Sequence, residues 1–445
     1  QMMLTKSANV GYFRPVINES HYTDIDHHTQ TAIDFFGLNL SYEDCHAYRQ
    51  KDVINLLGQG KIDEVLNTVI AKYKILEAKF DYVLVEGSDF SGEASLTELD
   101  MNLTIAKNLG IPAMIVCTGR DKSVQEITNS LSITYQSFME KEVDVIGLVA
   151  NKVDKNNMEE LATKLSSKIP DSVSIDIIPK VDFLDNPTVR EVCSALEGDI
   201  LFGESYLDNT IGNFTTGAMQ LRNYLTHIKE DTLVITPGDR ADIILGALQA
   251  NISRNYPKIA GIILTGNIQP EESILKLVEG VKSTVPIVCV KGNTFNVANE
   301  IGAVQSKIYA SNQKKILMAL NVFDTYVNTE RLTASFTSYS SDKVTPKMFQ
   351  YNMLQKAKKY RKHIVLPEGE EERIFQATYR LQLLNIVDLT LLGNKDTIRN
   401  KANRLGIEID FDKVQVLNPQ NSIHNEVFTK TLYEARKHKG MTETT

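Results

Sequence analysis

The sequence predicts an α/β protein of three consecutive α/β domains with mainly parallel sheets, the last domain incomplete. The first observation is a recurrence of short apolar runs rich in β-branched residues, each followed by a stretch suited to a helix. The runs are Val10–Ile17, Tyr82–Glu86, Ala113–Thr118, Val143–Ala150, Thr232–Thr236, Ile259–Thr265, Pro286–Val290, His363–Pro367 and Val387–Leu392. The second is that nearly all of them lack strict period-two alternation, as strands covered on both faces do. The third is the Pro and Gly that punctuate their ends (VEG, CTG, TPG, LTGN, LPEG, LLGN). In open α/β sheets the loops beyond those carboxyl ends are where ligands bind.

The runs group into blocks. Residues 1–198 form the first and 199–331 a smaller second. The Ser/Thr-rich stretch 332–348, which approaches Pro346, suits a linker, and 349–445 begin a third block. The opening Met2–Ser7 suits the tail of a helix, so one βα unit is expected ahead of it. Gly440 suits a helix stop and Thr442 the cap of a further helix.

Composition narrows the function. Of 445 residues 42% are hydrophobic and 23% charged, a globular balance, and the net charge of −8 opposes general attraction to nucleic acid or an anionic membrane. The basic cluster Lys356–Lys362 suits a solvated helix face. Cys45, Cys117, Cys193 and Cys289 form no CxxC pair, which fits free thiols in a reducing compartment. With no secretory signal and no apolar run of membrane length, the expected location is the cytoplasm.

In the first block, Glu86 and Asp89 stand at a strand end, where an acid can hold a loop by hydrogen bonds. Asn151 and Asp154, in NKVD, have the shape of a loop that hydrogen-bonds a base edge. The run HYTDIDHH carries His21, His27 and His28 with Asp24 and Asp26. Its neighbouring residues cannot all face one ion, so it reads as a solvated polar loop entering a helix, without metal. The segments GYFRPVI (Gly11–Ile17), DYVLVEGSDF (Asp81–Phe90) and IGLVANKVD (Ile146–Asp154) together resemble the dethiobiotin-synthetase-like P-loop domain that heads long-form phosphate acetyltransferases. The sequence contains no GxxxxGK[ST]. Without that loop there is no backbone cradle for phosphates, so ATP hydrolysis is not expected.

The second block carries TPGDRADIILGAL (Thr236–Leu248), where Gly238 permits an unusual backbone angle and Asp239 can cap a helix, with Arg240 beside it. GIILTGN (Gly261–Asn267) adds Gly266 and Asn267 on what should be the same sheet edge. These residues suit turn chemistry, and they are also the candidates for a regulatory ligand. In spacing and order the block resembles the DRTGG module of the same family, which implies a regulatory or assembly role.

The third block holds three ordered segments: HIVLPEGEEERIFQAT (His363–Thr378), VDLTLLGNKDTI (Val387–Ile398) and LYEARKHKGMT (Leu432–Thr442). They resemble the opening of the phosphate acetyltransferase/butyryltransferase domain. The resemblance implies Arg436 and Arg373 as substrate- or CoA-binding arginines, a guanidinium being a fixed fork of donors suited to phosphate. By their surroundings alone, Arg373 is an exposed helical ion pair and Arg436 complements a helix dipole. The resemblance places the remaining active-site groups beyond this sequence. No catalytic residue is therefore assigned, and acetyl transfer by the chain alone is not expected. It further implies CoA and acetyl phosphate as substrates of the parent enzyme, no tightly bound cofactor, metabolite effectors and a homo-oligomer. The competing reading is a stand-alone metabolite-sensing protein, which would have no use for LPEGEEER or EARKHKGMT.

Overall fold

The computed structural model describes residues 2–5, 9–18, 25–88, 95–281, 285–339 and 344–442. It divides into two compact units, 1–343 and 344–445. Its strands are β1 Val10–Phe13, β2 Val16–Ile17, β3 Tyr48–Arg49, β4 Tyr82–Val85, β5 Ala113–Thr118, β6 Val145–Val153, β7 Ser174–Pro179, β8 Asp199–Phe202, β9 Asn213–Thr216, β10 Thr232–Pro237, β11 Ile259–Thr265, β12 Ile287–Cys289, β13 Lys362–Leu366, β14 Val387–Leu392 and β15 Val414–Leu417. The fold is α/β with mostly parallel sheets.

Within the first unit the strands of the first block fall into separate ladders: β1 with β4, β2 with β3, and β5–β6–β7, all parallel. The run Val10–Ile17, expected as one strand, is broken at Arg14–Pro15, because proline brings no N–H to a ladder. The Arg14 N–H instead donates to the Cys45 carbonyl at 2.7 Å, and the chain passes from β4 toward β3. The helix Ser95–Leu109 joins the layers, its buried Leu103 lying in the core with Ile115, Ile127, Leu131 and Leu148. The edges of β4 and β5 that pair with no described strand carry exposed apolar residues, Leu84 at 56% and Val116 at 58%.

The second block has one continuous sheet, β8–β12–β11–β10–β9, parallel except for antiparallel β8. Every residue of β11 is buried, with apolar clusters on both faces. Composition pointed to β10, β11 and β12. It did not point to β7, β8, β9 or β15, in which Ser174, Asp176, Asp199, Asn213, Thr215, Thr216 and Gln415 dilute the apolar signal.

The two compact units divide within the stretch expected as a linker, 332–348, whose residues 332–338 complete the helix Thr329–Ser338. Asn328 caps it by accepting from the Arg331 N–H at 3.0 Å, and Leu332 is buried against Val149, Ile178 and Val322. Serine and threonine suggested a tether, but one buried leucine and a cap suffice for a helix.

The second unit is a parallel sheet, β13–β14–β15. Its core is Phe375, Leu389, Leu391, Ile398, Ala402, Ile409 and Val414, supplied by the strands, the helices Glu372–Leu384 and Lys395–Arg404, and the loop after the latter. The helix Asn425–Arg436 buries none of its residues, and Gly440 ends the turn after it in the left-handed region at φ 88°.

Candidate functional site

Four sheet edges carry most of the residues singled out by sequence. At the ends of β1 and β4, Glu86 is the centre of a charged cluster. Tyr12 Oη donates to its Oε2 at 2.6 Å and Arg14 Nη1 to its Oε1 at 3.0 Å, while His28 Nδ1 lies 3.3 Å from that same Oε1. Arg14 is 1% exposed and also lies 3.6 Å from Asp26 Oδ1. A guanidinium so far from water needs both carboxylates, because an unpaired buried charge costs several kcal/mol by order of magnitude. Burial pushes the Tyr12 phenol well above its usual range, reinforced by the Glu86 charge. Asp89 lies outside the described residues.

The run HYTDIDHH, expected as a solvated loop entering a helix, does enter one, but the helix start is buried. Asp26 caps the helix His27–Phe36, accepting from the Thr29 N–H at 2.9 Å, and is itself buried. Burial opposes its ionisation, yet the Thr29 bonds and the Arg14 charge hold its carboxyl below the usual range. Burial, then the neighbouring charges of His28 and Lys307, push His27 down to about 3. The first turn of this helix is buried at Thr29, and its N-cap Asp26 is buried with it. His21 and Asp24 lie outside the described residues, and among the described residues no group of three His, Cys, Asp or Glu could hold a metal ion.

At the carboxyl edge of β5–β6–β7, Asp154 is spent on local structure. Its Oδ1 accepts from the Asn156 N–H at 2.8 Å and caps a short 3-10 turn. The Asn151 carbonyl accepts from the Gly119 N–H at 2.7 Å. Between these two residues, Lys152 reaches Asp185 Oδ1 at 2.8 Å, and Arg120 Nη2 pairs with the same oxygen. None of these three was singled out by sequence. Lys152 is the penultimate residue of β6, and Arg120 and Asp185 follow β5 and β7 by two and six residues; charged residues are common at such strand ends, and only the fold makes these converge.

In the second block the expected roles are revised. Gly238 is needed because of a close approach and has no unusual φ: a Cβ there would lie 1.7 Å from the Ile268 carbonyl oxygen. Asp239 does not cap the following helix; Arg240 holds that position, with no side-chain cap bond. Its guanidinium donates to the Met219 and Gly217 carbonyls at 2.9 and 3.2 Å and to Asp242, tying two loops together. Gly266 and Asn267 are exposed and left-handed, at φ 81° and 55°, as a tight turn requires.

In the second unit, Glu370 joins the two loops beyond β13 and β14. It accepts from Lys401 Nζ at 3.1 Å and from the Asn394 N–H at 3.4 Å. Arg373 is 72% exposed and pairs with Glu368 across one turn. Arg436 is exposed in the last turn of its helix. No helix of the described residues is long and apolar enough to cross a membrane.

Comparison with known proteins follows the same three blocks. The AAA domain family matches residues 1–188, the DRTGG domain 191–304, and the phosphate acetyl/butyryl transferase family 348–445. A phosphate acetyltransferase of Nitratidesulfovibrio vulgaris is 35% identical across 99% of this chain and 63% of its own length. That of Synechocystis is 34% identical across 99% and 64%, and that of Escherichia coli K12 24% identical across 99% and 64%. The chain thus spans less than two thirds of the length of these relatives. Among solved structures, the phosphotransacetylase EutD of Staphylococcus aureus is 30% identical over 21% of this chain and 29% of its own, at a TM-score of 0.19. The CBS and DRTGG region of a Clostridium perfringens pyrophosphatase, solved with diadenosine tetraphosphate, is 17% identical over 45% of this chain and 77% of its own, at 0.24. At those TM-scores neither bears on the arrangement of the domains. In domain order, and along almost its whole length, the chain is similar to the phosphate acetyltransferases.

Proposed function

We propose that the protein to which these residues belong interconverts acetyl phosphate and CoA with acetyl-CoA and phosphate. The observation that carries this is the match of residues 348–445 to the phosphate acetyl/butyryl transferase family, behind an AAA and a DRTGG domain in that order. In this reading residues 1–331 regulate or assemble the enzyme. Residues 349–445 open its acyl-transfer domain, with 332–348 between them. Arg436 and Arg373 bind substrate or CoA phosphates, and the exposure of both guanidiniums leaves them accessible to an anion. Gly238, Asp239, Arg240, Gly266 and Asn267 form the edge at which a metabolite effector would meet the second block, and Glu86, Asp89, Asn151 and Asp154 are the candidates in the first. CoA is a substrate and no cofactor is held tightly. The protein is cytoplasmic and homo-oligomeric, and residues 1–445 alone turn over little or no acetyl phosphate.

The test is acetyl-CoA formation from acetyl phosphate and CoA, followed as thioester absorbance. Turnover by the full-length parent and none by residues 1–445 is the expected result. Turnover by residues 1–445 alone would place the catalytic groups within them and overturn the finer reading. No turnover by the parent would overturn the whole.

A further inference from the structure

Arg120 follows the end of β5, Lys152 is the penultimate residue of β6 and Asp185 ends the short helix Asp182–Asp185 after β7, so all three lie at the carboxyl ends of successive strands. These ends are held in register by backbone bonds, Gly119 N–H to the Asn151 carbonyl at 2.7 Å and Lys180 N–H to the Val153 carbonyl at 2.8 Å. Both cations converge on a single oxygen, Asp185 Oδ1, and their side chains are 32% and 36% exposed while Asp185 is 12% exposed. Two positive charges against one negative leave the cluster with a net positive charge at an open sheet edge. Asp185 Oδ2 is buried and finds no hydrogen-bond partner among the described residues. Lys152 reaches its position from the left-handed region, at φ 61°, a conformation that costs a non-glycine residue on the order of 1 kcal/mol. Two cations and a strained backbone gathered around a half-satisfied carboxylate hold more than a surface ion pair requires.

The next residue along leads to a second, wholly buried cation. The Asn186 carbonyl accepts from Lys315 Nζ at 2.6 Å, and that ammonium lies 3.8 Å from Glu191 Oε2 and also bonds Ser306 Oγ. Lys315 is 0% exposed. Glu191 belongs to the capping box of the helix Val189–Ala195, which packs in the core of the second block, and its Oε1 accepts from the Lys307 N–H. Asp185 and Lys315 are therefore one residue apart along a path from the first sheet edge to the second block.

We propose that Arg120 and Lys152 form a binding site for the phosphoryl group of a small metabolite, with Asp185 holding both cations in place until the ligand shares them. A guanidinium fork and an ammonium at adjacent strand ends match a tetrahedral dianion better than a planar monoanion. Binding draws the cations toward the ligand, relaxes their hold on Asp185, and shifts the Asn186 carbonyl that anchors Lys315. The site stands on its own geometry; that this path regulates acetyl transfer rests on the function proposed above.

The experiment maps lysine acylation by an N-hydroxysuccinimide ester, peptide by peptide, with inorganic phosphate or acetate added. Saturating phosphate is expected to slow labelling of Lys152 on the order of tenfold while exposed Lys164 labels unchanged. Arg120→Gln should weaken that protection on the order of tenfold, the loss of one charge-assisted bond, and Lys152→Arg should still bind phosphate. Circular dichroism of each variant establishes that the fold is kept. Absence of protection in the wild-type chain, or equal protection by acetate, overturns the site. Hydrogen exchange over residues 306–316 and 189–195 should change with phosphate in the wild-type chain and not in Arg120→Gln; no change in the wild type overturns the path to Lys315. If the site holds and the parent enzyme makes no acetyl-CoA, the proposed function fails and the site does not.

Discussion

The first and second blocks are both parallel α/β layers, yet they finish their carboxyl edges by opposite means. The edge of the first block is held by charge. Arg14, Glu86, Asp26 and His28 meet at the ends of β1 and β4, and Arg120, Lys152 and Asp185 at the ends of β5, β6 and β7. The edge of the second is held largely by shape: Gly238 lets Ile268 approach, Gly266 and Asn267 turn left-handed, and Thr265 and Thr294 pair through their hydroxyls at 2.8 Å. Arg240, a cation there, is consumed by loop carbonyls and its neighbour Asp242. A charged edge can exchange one partner for a ligand anion at modest cost, whereas a close-packed glycine loop offers a ligand mostly backbone. The buried Lys315, between Asn186 and Glu191, is where the two constructions meet.

Removing that junction should give the largest effect. Lys315→Ala leaves the Glu191 carboxylate buried beside no cation and should destabilise the first unit by roughly 3–5 kcal/mol in denaturant unfolding. Lys315→Met fills the space without the charge; recovery of most of the loss seen with alanine would show that packing, not charge, joins the blocks. Next comes Gly238→Ala, expected to cost about 3 kcal/mol because a methyl must displace the Ile268 carbonyl. A cost below about 0.5 kcal/mol would break the claim that shape holds the second edge.

His27 provides a smaller test of the charged edge. Its pKa falls from 6.5 in the unfolded chain to about 3 in the fold, so between those values the unfolded state binds more protons. Stability from this residue is therefore complete above pH 6.5 and is lost as the pH falls toward 3, with a slope of up to about 1.4 kcal/mol per pH unit. His27→Gln should flatten that part of the pH–stability curve, and an unchanged slope would remove His27 as its source. The smallest effect is expected outside both blocks. Arg373→Ala should change stability by less than about 1 kcal/mol, since its ion pair is 72% and 57% exposed. A large drop in acetyl transfer by the parent carrying the same change would then assign Arg373 to substrate.

Much of the fold was legible in the amino-acid order. β10 and β11 announce themselves because covered strands are near-continuous runs of apolar and β-branched residues, and the Pro and Gly at their carboxyl ends mark where they stop. The edge strands β8 and β9 stayed hidden, as did the helix over Thr329–Ser338, because one covered face needs few apolar residues and those few fall below any local signal. The candidate sites divide in the same way. Gly266 and Asn267 could be placed in a turn because turn chemistry is local, while Gly238 needed the distant Ile268 to explain it.

By itself, then, the sequence determined the α/β class, the order of three blocks and the resemblance that names the family. These depend on neighbouring residues, through strand burial, turn formation and contiguous motifs. Only the tertiary structure decided which charges meet. Arg120, Lys152 and Asp185 are separated by 32 and 33 positions along the chain, and Glu86 lies more than 70 residues from Tyr12 and Arg14. Parallel crossover brings successive loops to one edge whatever residues they carry, so convergence there is a property of the fold and leaves no trace in local sequence.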